Sequence, residues 1–135
     1  MKEIAAGAKR EITAVVTEEM LAVNVGSGGL RVLATPALAA LMEKAAFELL
    51  EEDMPQGITT VGTMLELRHI RATPFSDTVS VCAELTDVAD RKYTFRVTAR
   101  DSVGVISEAV HERFSVNAKR FMEKAENNIA GDKKS

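Results

Sequence analysis

The chain has 135 residues, of which 46% are hydrophobic and 27% charged, and these proportions are typical of one globular domain. A net charge of -3 with scattered basic residues argues against nucleic acid as a partner, and no stretch approaches the length of a membrane span. One cysteine, Cys82, excludes an intrachain disulfide. Since no signal peptide opens the chain and Cys82, His69 and His111 lack ligand-like spacing, we expect a cytoplasmic protein without a metal site.

The first third of the chain predicts a strand, a loop and a long helix. Lys9–Val16 alternates loosely and predicts the strand, and the glycine-rich segment Asn24–Gly29 predicts a mobile loop. Thr35 followed by Pro36 is a typical helix start, with threonine as the N-cap and proline as the first helical residue. The predicted helix ends near Glu52.

After Gly57 the apolar period changes from helical to two, which predicts a sheet with one buried face. The predicted strands are Thr59–Arg71, Thr78–Thr86, Lys92–Arg100 and Val105–Val116. In the first of them one face carries Val61, Leu65, Leu67 and His69. Asn117–Lys124 predicts a short terminal helix.

One long apolar helix followed by four long strands predicts an α+β domain, with an antiparallel sheet wrapped around the central helix. Residues 1–125 would form this domain, and residues 126–135 a polar C-terminal tail. The edge strands of such a sheet are exposed in a monomer, so we expect a homodimer.

Glu43 is a carboxylate in a helical segment that is apolar almost throughout. Its neighbours three and four positions away are Ala39, Ala40, Ala46 and Phe47. We therefore expect the carboxylate to face the packed side of the helix. An ionised carboxylate there is costly unless it is paired or neutralised, which makes Glu43 a candidate for chemistry.

The order of elements resembles the hotdog fold of acyl-CoA thioesterases and dehydratases. Within that superfamily, three stretches resemble the fluoroacetyl-CoA thioesterase family: Ala34-Thr35 with Leu41-Met42-Glu43, Gly62-Thr63 with His69 and Ala72-Thr73-Pro74, and His111-Glu112-Arg113. The step from Thr35 to Glu43 and the step from Gly62 to His69 match the family's spacing. The resemblance extends over roughly residues 5 to 125.

The resemblance implies an acyl-CoA thioesterase that hydrolyses a small or medium acyl thioester. Thr35, Glu43 and His69 match the family's catalytic residues, and Gly62 and Arg113 match positions that contact substrate. Glu43 would act either as a general base on water or as a nucleophile on the carbonyl, and the sequence leaves both open. No cofactor is implied, because coenzyme A is part of the substrate.

One segment departs from the family pattern. The fluoroacetyl-specific enzyme carries a longer, phenylalanine-bearing lid before its catalytic threonine, whereas Asn24–Leu30 here has no aromatic residue. We therefore expect a broader or different acyl-CoA preference. Coenzyme A also carries phosphates, for which the candidate basic residues are Arg71, Arg91, Lys92, Lys119 and Arg120.

Each site residue also has a structural interpretation. Thr35 is a good N-cap in any helix, Glu43 and Arg113 could be halves of ordinary ion pairs, His69 a core histidine, and Gly62 a β-bulge residue. His111 is interpreted as structural, and Cys82 is not expected to act as a nucleophile. The alternative functions are a hotdog dehydratase or hydratase, and a non-catalytic module that binds acyl-CoA or another small ligand.

Overall fold

A computed structural model describes residues 4–134, with side chains up to residue 130. The outer ends of the predicted domain and tail, residues 1–3 and 135, lie outside the described residues. In chain order the elements are β1 (Lys9–Val15), a 3-10 turn (Glu18–Met20), α1 (Ala22–Val25), α2 (Thr35–Glu51), β2 (Ile58–His69), β3 (Thr78–Ala89), β4 (Lys92–Arg100), β5 (Val105–Asn117) and α3 (Ala118–Lys134).

The strands between residues 4 and 134 form one antiparallel sheet in the order β1-β3-β4-β5-β2, and α2 packs against it. This confirms the predicted α+β architecture. The buried face of α2 consists of Leu38, Met42, Ala45, Ala46 and Leu50. It meets the inward side chains of the sheet, among them Val79, Val81, Ala83, Leu85, Phe95, Val97 and Ala99. Full burial of one such large aliphatic side chain stabilises a fold by about 1.5–3 kcal/mol.

β2 carries a β-bulge that reverses its alternation. Gly62 lies opposite Arg113 and Met64 lies opposite Glu112, which leaves Thr63 as an extra residue. Cross-strand partners share a face of the sheet, and residues two apart on β5 do so as well.

Gly62 therefore lies on the inner face together with Leu65 and His69, although the interval from Gly62 to His69 is odd. Val61 lies opposite Phe114 and belongs to the outer face. The prediction that Val61 shares a face with Leu65 was wrong, because counting in twos makes no allowance for an inserted residue.

Several element boundaries also differ from the prediction, among them the end of β3, which continues to Ala89 rather than ending at Thr86. β2 ends at His69 rather than Arg71, and α3 continues to Lys134 instead of ending near Lys124. β2 lies at one edge of the sheet and has a single neighbouring strand, β5, in the described part of the chain. None of the helices in residues 4–134 has the length and hydropathy needed to cross a membrane.

Candidate active site

Thr35 is the first residue of α2, and Ala34 is its N-cap, with extended backbone at φ -72° and ψ 142°. The extended backbone before the helix is fixed by hydrogen bonds from the Ala34 amide to the Met20 carbonyl and from the Leu33 amide to the Thr73 carbonyl. The prediction of Thr35 as N-cap was wrong, since the helix begins one residue earlier than the Thr-Pro pattern indicates. The Thr35 hydroxyl instead forms a hydrogen bond of 2.8 Å with Nδ1 of His69.

His69 is the last residue of β2 and is half-buried. Burial is the larger influence and lowers the pKa of its imidazole, and the nearby backbone of Arg71 acts in the opposite direction. The ring is therefore neutral at pH 7 and able to accept a proton. Its Nε2 is buried and has no hydrogen-bond partner within the described part of the chain. A buried polar atom without a partner is uncommon in folded proteins, which marks this nitrogen as unusual.

A cavity of about 290 Å³ opens beside Thr35 and His69. Ser27, from the glycine-rich loop, lies on one wall, and Arg71 lies on another. The loop therefore borders the Thr35–His69 pair. Of the predicted phosphate-binding candidates, Arg71 is one that lines this cavity.

Asp101, in the β4–β5 turn, anchors Arg71. Its carboxylate accepts hydrogen bonds from Arg71 Nη2 at 2.9 Å and Thr73 Oγ1 at 2.8 Å, and from the backbone amides of Val103 and Gly104. Burial raises the pKa of Asp101, but these hydrogen bonds outweigh it and hold the pKa at about 2. The carboxylate is thus ionised at neutral pH and fixes the guanidinium at the cavity wall.

The Glu43 carboxylate faces the inner side of β2 and β5, but its side chain is 48% exposed, so the predicted burial of this acid was wrong. At 3.6 residues per turn, Glu43 lies about 100° around the helix from Met42, which is in the middle of the buried stripe. Of its apolar neighbours, Ala40 is exposed and Phe47 half-buried, so this side of the helix is apolar without being covered.

Gly62 lies directly beneath the Glu43 carboxylate. A Cβ atom at residue 62 would be 2.7 Å from Glu43 Oε2 and 3.2 Å from both Arg113 Nη1 and His111 Cε1. The carboxylate can lie this close to β2 because residue 62 has no side chain. Gly62 therefore adjoins the bulge and also allows a close approach, so both interpretations of this residue apply.

Arg113 is almost completely buried on β5, at 5% exposure. Its Nε donates to Thr60 Oγ1 at 2.9 Å, its Nη2 donates to the Thr60 carbonyl at 3.0 Å, and its guanidinium lies 5.6 Å from the Phe47 ring centre. Nη1 is 3.7 Å from Glu43 Oε2, an ion pair too long for a direct hydrogen bond. Burial lowers the pKa of Arg113, and the Glu43 carboxylate opposes this, so the group stays charged.

The five predicted site residues thus form two clusters within one chain. Thr35 and His69 make the first, and Glu43, Gly62 and Arg113 make the second. The eight residues from Thr35 to Glu43 span about 12 Å along a helix, and the seven from Gly62 to His69 span about 23 Å along a strand. The predicted Thr35, Glu43 and His69 site is therefore not assembled within a single protomer.

The chemistry available to each cluster differs. At the start of α2, the helix dipole favours negative charge, so a hydroxyl and a neutral imidazole there can polarise a carbonyl or move a proton. In the second cluster, a half-exposed carboxylate next to a buried guanidinium can orient or activate water. His111 joins this second cluster through Arg113 Nη1, and sequence analysis missed it. The available signal was its position two residues before Arg113, on the same face of β5.

Comparison with solved structures identifies the class of protein. A hypothetical protein of Thermus thermophilus, a thioesterase superfamily member, superposes with a TM-score of 0.91 at 21% identity over the full length of both chains. A mutant of the fluoroacetyl-CoA-specific thioesterase FlK superposes with a TM-score of 0.90 at 27% identity, covering 95% of this chain and 99% of that one. The fold is the hotdog fold of thioesterases.

Sequence comparison narrows the class to one family. The model of the fluoroacetyl-CoA-specific thioesterase family matches residues 16–119. The fluoroacetyl-CoA thioesterase of Streptantibioticus cattleyicolor is 36% identical over 90 residues, which are 67% of this chain and 65% of that relative. The chain therefore belongs to the fluoroacetyl-CoA-specific thioesterase family, and the match spans a little under two-thirds of the length of this relative.

Proposed function

We propose that this protein is a thioester hydrolase that converts a small or medium acyl-CoA to the free acid and coenzyme A. The observation that carries the proposal is the Thr35–His69 hydrogen bond beside a cavity, in a chain of this family. A mutant of FlK, 28% identical with a TM-score of 0.84 over 87% of this chain and 99% of that one, was crystallised with fluoroacetate and coenzyme A. That relative thus binds both products of a thioester hydrolysis.

The acyl pocket would lie at the boundary of a homodimer. Within one chain Glu43 is too far from Thr35 and His69 to act with them, and its carboxylate is half-exposed beside exposed Ala40. A second copy of the chain is the simplest source of the missing contacts. The partner's Glu43 would then act together with Thr35 and His69 of this chain. Glu43 of this chain would act in the same way at the second site.

β2 offers the edge for such a dimer. Ile58–His69 is a 12-residue edge strand, and two copies could pair antiparallel about a two-fold axis. An axis near Leu65 would place Gly62 opposite the partner's His69, because Leu65 is close to the midpoint of that interval. The Glu43 cluster would then adjoin the partner's Thr35–His69 pair.

In this arrangement the chemistry divides between the two clusters. Thr35, at the positive end of α2, would polarise the thioester carbonyl, and His69 would move the proton that the leaving thiolate needs. Glu43 would either deprotonate a water or attack the carbonyl itself. Arg71, fixed by Asp101, would contact a phosphate of coenzyme A at the cavity wall.

The first test is release of free thiol from a panel of acyl-CoAs, from acetyl to long-chain and aryl. We expect Glu43→Gln to lower kcat by about 10²–10⁴ because it removes an acid–base or nucleophilic group. The matched control is Glu48→Gln, which removes an acid of the same helix that pairs with Arg10 instead. This control should keep wild-type turnover.

Two outcomes would overturn the proposal. Binding of acyl-CoA without thiol release at any chain length would favour a non-catalytic module, and hydration of an enoyl-CoA would favour a hydratase. Because Asn24–Leu30 has no aromatic residue, we expect no strong preference for fluoroacetyl-CoA over acetyl-CoA in the same panel.

Mixing two inactive variants tests the shared site. Thr35→Ala and Glu43→Gln chains, unfolded and refolded together, should form heterodimers in which one of the two sites has all its groups intact. With random pairing, about a quarter of wild-type activity should return. A site contained within one chain would leave the mixture as inactive as each variant alone.

A further inference from the structure

His111 is a buried histidine that the proposed chemistry does not use. It is 1% exposed on β5, and its Nδ1 lies 2.7 Å from the Met64 carbonyl, next to the bulge in β2. A carbonyl oxygen only accepts hydrogen bonds, so Nδ1 carries the proton and donates it. Nε2 is then an acceptor, and Arg113 Nη1 donates to it at 3.2 Å.

The hydrogen bond to His111 holds Nη1, the guanidinium nitrogen of Arg113 that does not contact Thr60. Thr60 holds Nε and Nη2, whereas Nη1 lies between His111 and Glu43. Since Nη1 carries two hydrogens, it can donate one to His111 and direct the other toward the Glu43 carboxylate. The same nitrogen is 3.2 Å from where a Cβ of residue 62 would lie.

We propose that His111 is a positioning residue that aims Arg113 at Glu43, and that it does so only as the neutral Nδ1–H tautomer. The Met64 carbonyl beside the bulge selects this tautomer, and an imidazolium could not accept from Arg113. This inference rests on the proposed function for its effect on turnover, but its structural part does not depend on catalysis.

The surroundings of His111 favour the neutral ring. Its charged neighbours are Arg113 and Glu112 on β5 and Glu43 on α2. β2 contributes the Met64 carbonyl and the backbone at Gly62, and β4 contributes the Phe95 ring, 5.9 Å away between ring centres. Burial is the largest influence and lowers the pKa of His111, with the Met64 carbonyl opposing it and Arg113 reinforcing it.

The chain offers a direct spectroscopic test because it has just two histidines. In a His69→Gln variant the remaining imidazole signal belongs to His111, and ¹⁵N NMR at pH 7 should show Nδ1 protonated and Nε2 unprotonated. The Arg113 guanidinium signals should be sharp at pH 7 and broaden as this imidazole becomes charged. A protonated Nε2, or guanidinium signals that ignore the imidazole, would overturn the proposal whether or not the protein hydrolyses thioesters.

Activity supplies the second test in two matched variants. His111→Gln keeps an acceptor near the Nε2 position and should retain kcat/KM within about threefold, whereas His111→Phe keeps a ring without an acceptor and should lose about tenfold or more. In an Arg113→Met background, the two should no longer differ, because the group they position is gone. Equal activities for Gln and Phe in the Arg113 protein, with normal wild-type turnover, would contradict the positioning role. Absence of turnover in the wild type would instead contradict the proposed function.

Discussion

At Gly62, a single added methyl group should separate turnover from stability. In Gly62→Ala the new Cβ would clash with Glu43 Oε2, which lies at the end of a flexible side chain and can move away. Alanine is favoured over glycine in a strand by about 0.5–1 kcal/mol, which offsets the tight contacts with Arg113 and His111. We expect an unfolding free energy within about 1 kcal/mol of wild type and a fall of about tenfold or more in kcat/KM.

Thermal melts and thiol release, measured on the same Gly62→Ala preparation, check this prediction. Full turnover would show that the position of the carboxylate does not matter. A large loss of stability would show that Glu43 cannot move as freely as its exposure indicates.

The Thr35 hydroxyl is expected to matter for chemistry and little for the helix. Thr35→Ser keeps the hydroxyl that meets His69 and should retain most of the turnover, whereas Thr35→Val keeps the shape and should lose most of it. Because Ala34 is the N-cap, neither variant should show the cost of about 0.5–2 kcal/mol that is typical of a lost cap. A valine variant that melts far below the serine variant would restore the capping interpretation.

At the scale of elements, the bulge in β2 determines which side chains reach the site. Deleting Thr63 would remove the extra residue and make the alternation regular, with Gly62 and the Leu65–His69 half of the strand both still on the inner face. We expect the deletion to change the unfolding free energy by less than about 3 kcal/mol, since no half-buried leucine has to turn outward. Urea unfolding measures the change.

Thr63→Ala is the control for this deletion. It removes one long hydrogen bond of 3.3 Å to the Glu112 carbonyl and keeps the number of residues. This variant should unfold close to wild type. A loss of about 3 kcal/mol or more in the deletion alone would show that regular pairing does not keep Gly62 and the Leu65–His69 half on the inner face.

The strands and the central helix could be predicted from the sequence because alternation and helix-start residues are local signals. Lys92–Arg100 was predicted with the bounds that the structure has, and β5 was one residue short. The single buried face of the sheet was also predicted, and Val79 to Leu85 and Phe95 to Ala99 alternate without a register shift.

The exposure of Glu43, the length of α3 and the role of His111 could not be predicted from local sequence signals. The apolar neighbours of Glu43 predicted that its side chain is buried. Whether Ala40 and Phe47 are covered depends on how far the sheet extends beside α2, which the local sequence does not indicate. The length of α3 was missed because residues 126–135 are mostly polar, although Phe121, Met122 and Ile129 recur at helical spacing. The role of His111 required knowing that the Met64 carbonyl faces its Nδ1.

At the scale of the whole molecule, two histidines make stability depend on pH. His69 and His111 both have a lowered pKa in the folded protein, so below about pH 6.5 the unfolded chain binds more protons than the folded one. The stabilisation is present above that pH and decreases as the pH falls. We expect the Tm to decrease between pH 7 and pH 5.

Thermal melts of His111→Gln and His69→Gln should show a shallower decrease over the same range, since each removes one of the titrating groups. Asp101 acts at lower pH, because its contribution is lost progressively as the pH falls from about 4 to about 2. A wild-type Tm that stays constant from pH 7 to pH 5 would contradict these assignments.

The hydrogen bonds from Arg71 and Thr73 to Asp101 mean that the β4–β5 turn, distant in sequence, stabilises the wall of the cavity. Shortening or replacing the β4–β5 hairpin would therefore loosen this part of the cavity wall without changing a residue that lines the cavity. Selectivity could therefore drift through changes around residues 101–104, a region that a search confined to the pocket lining would overlook.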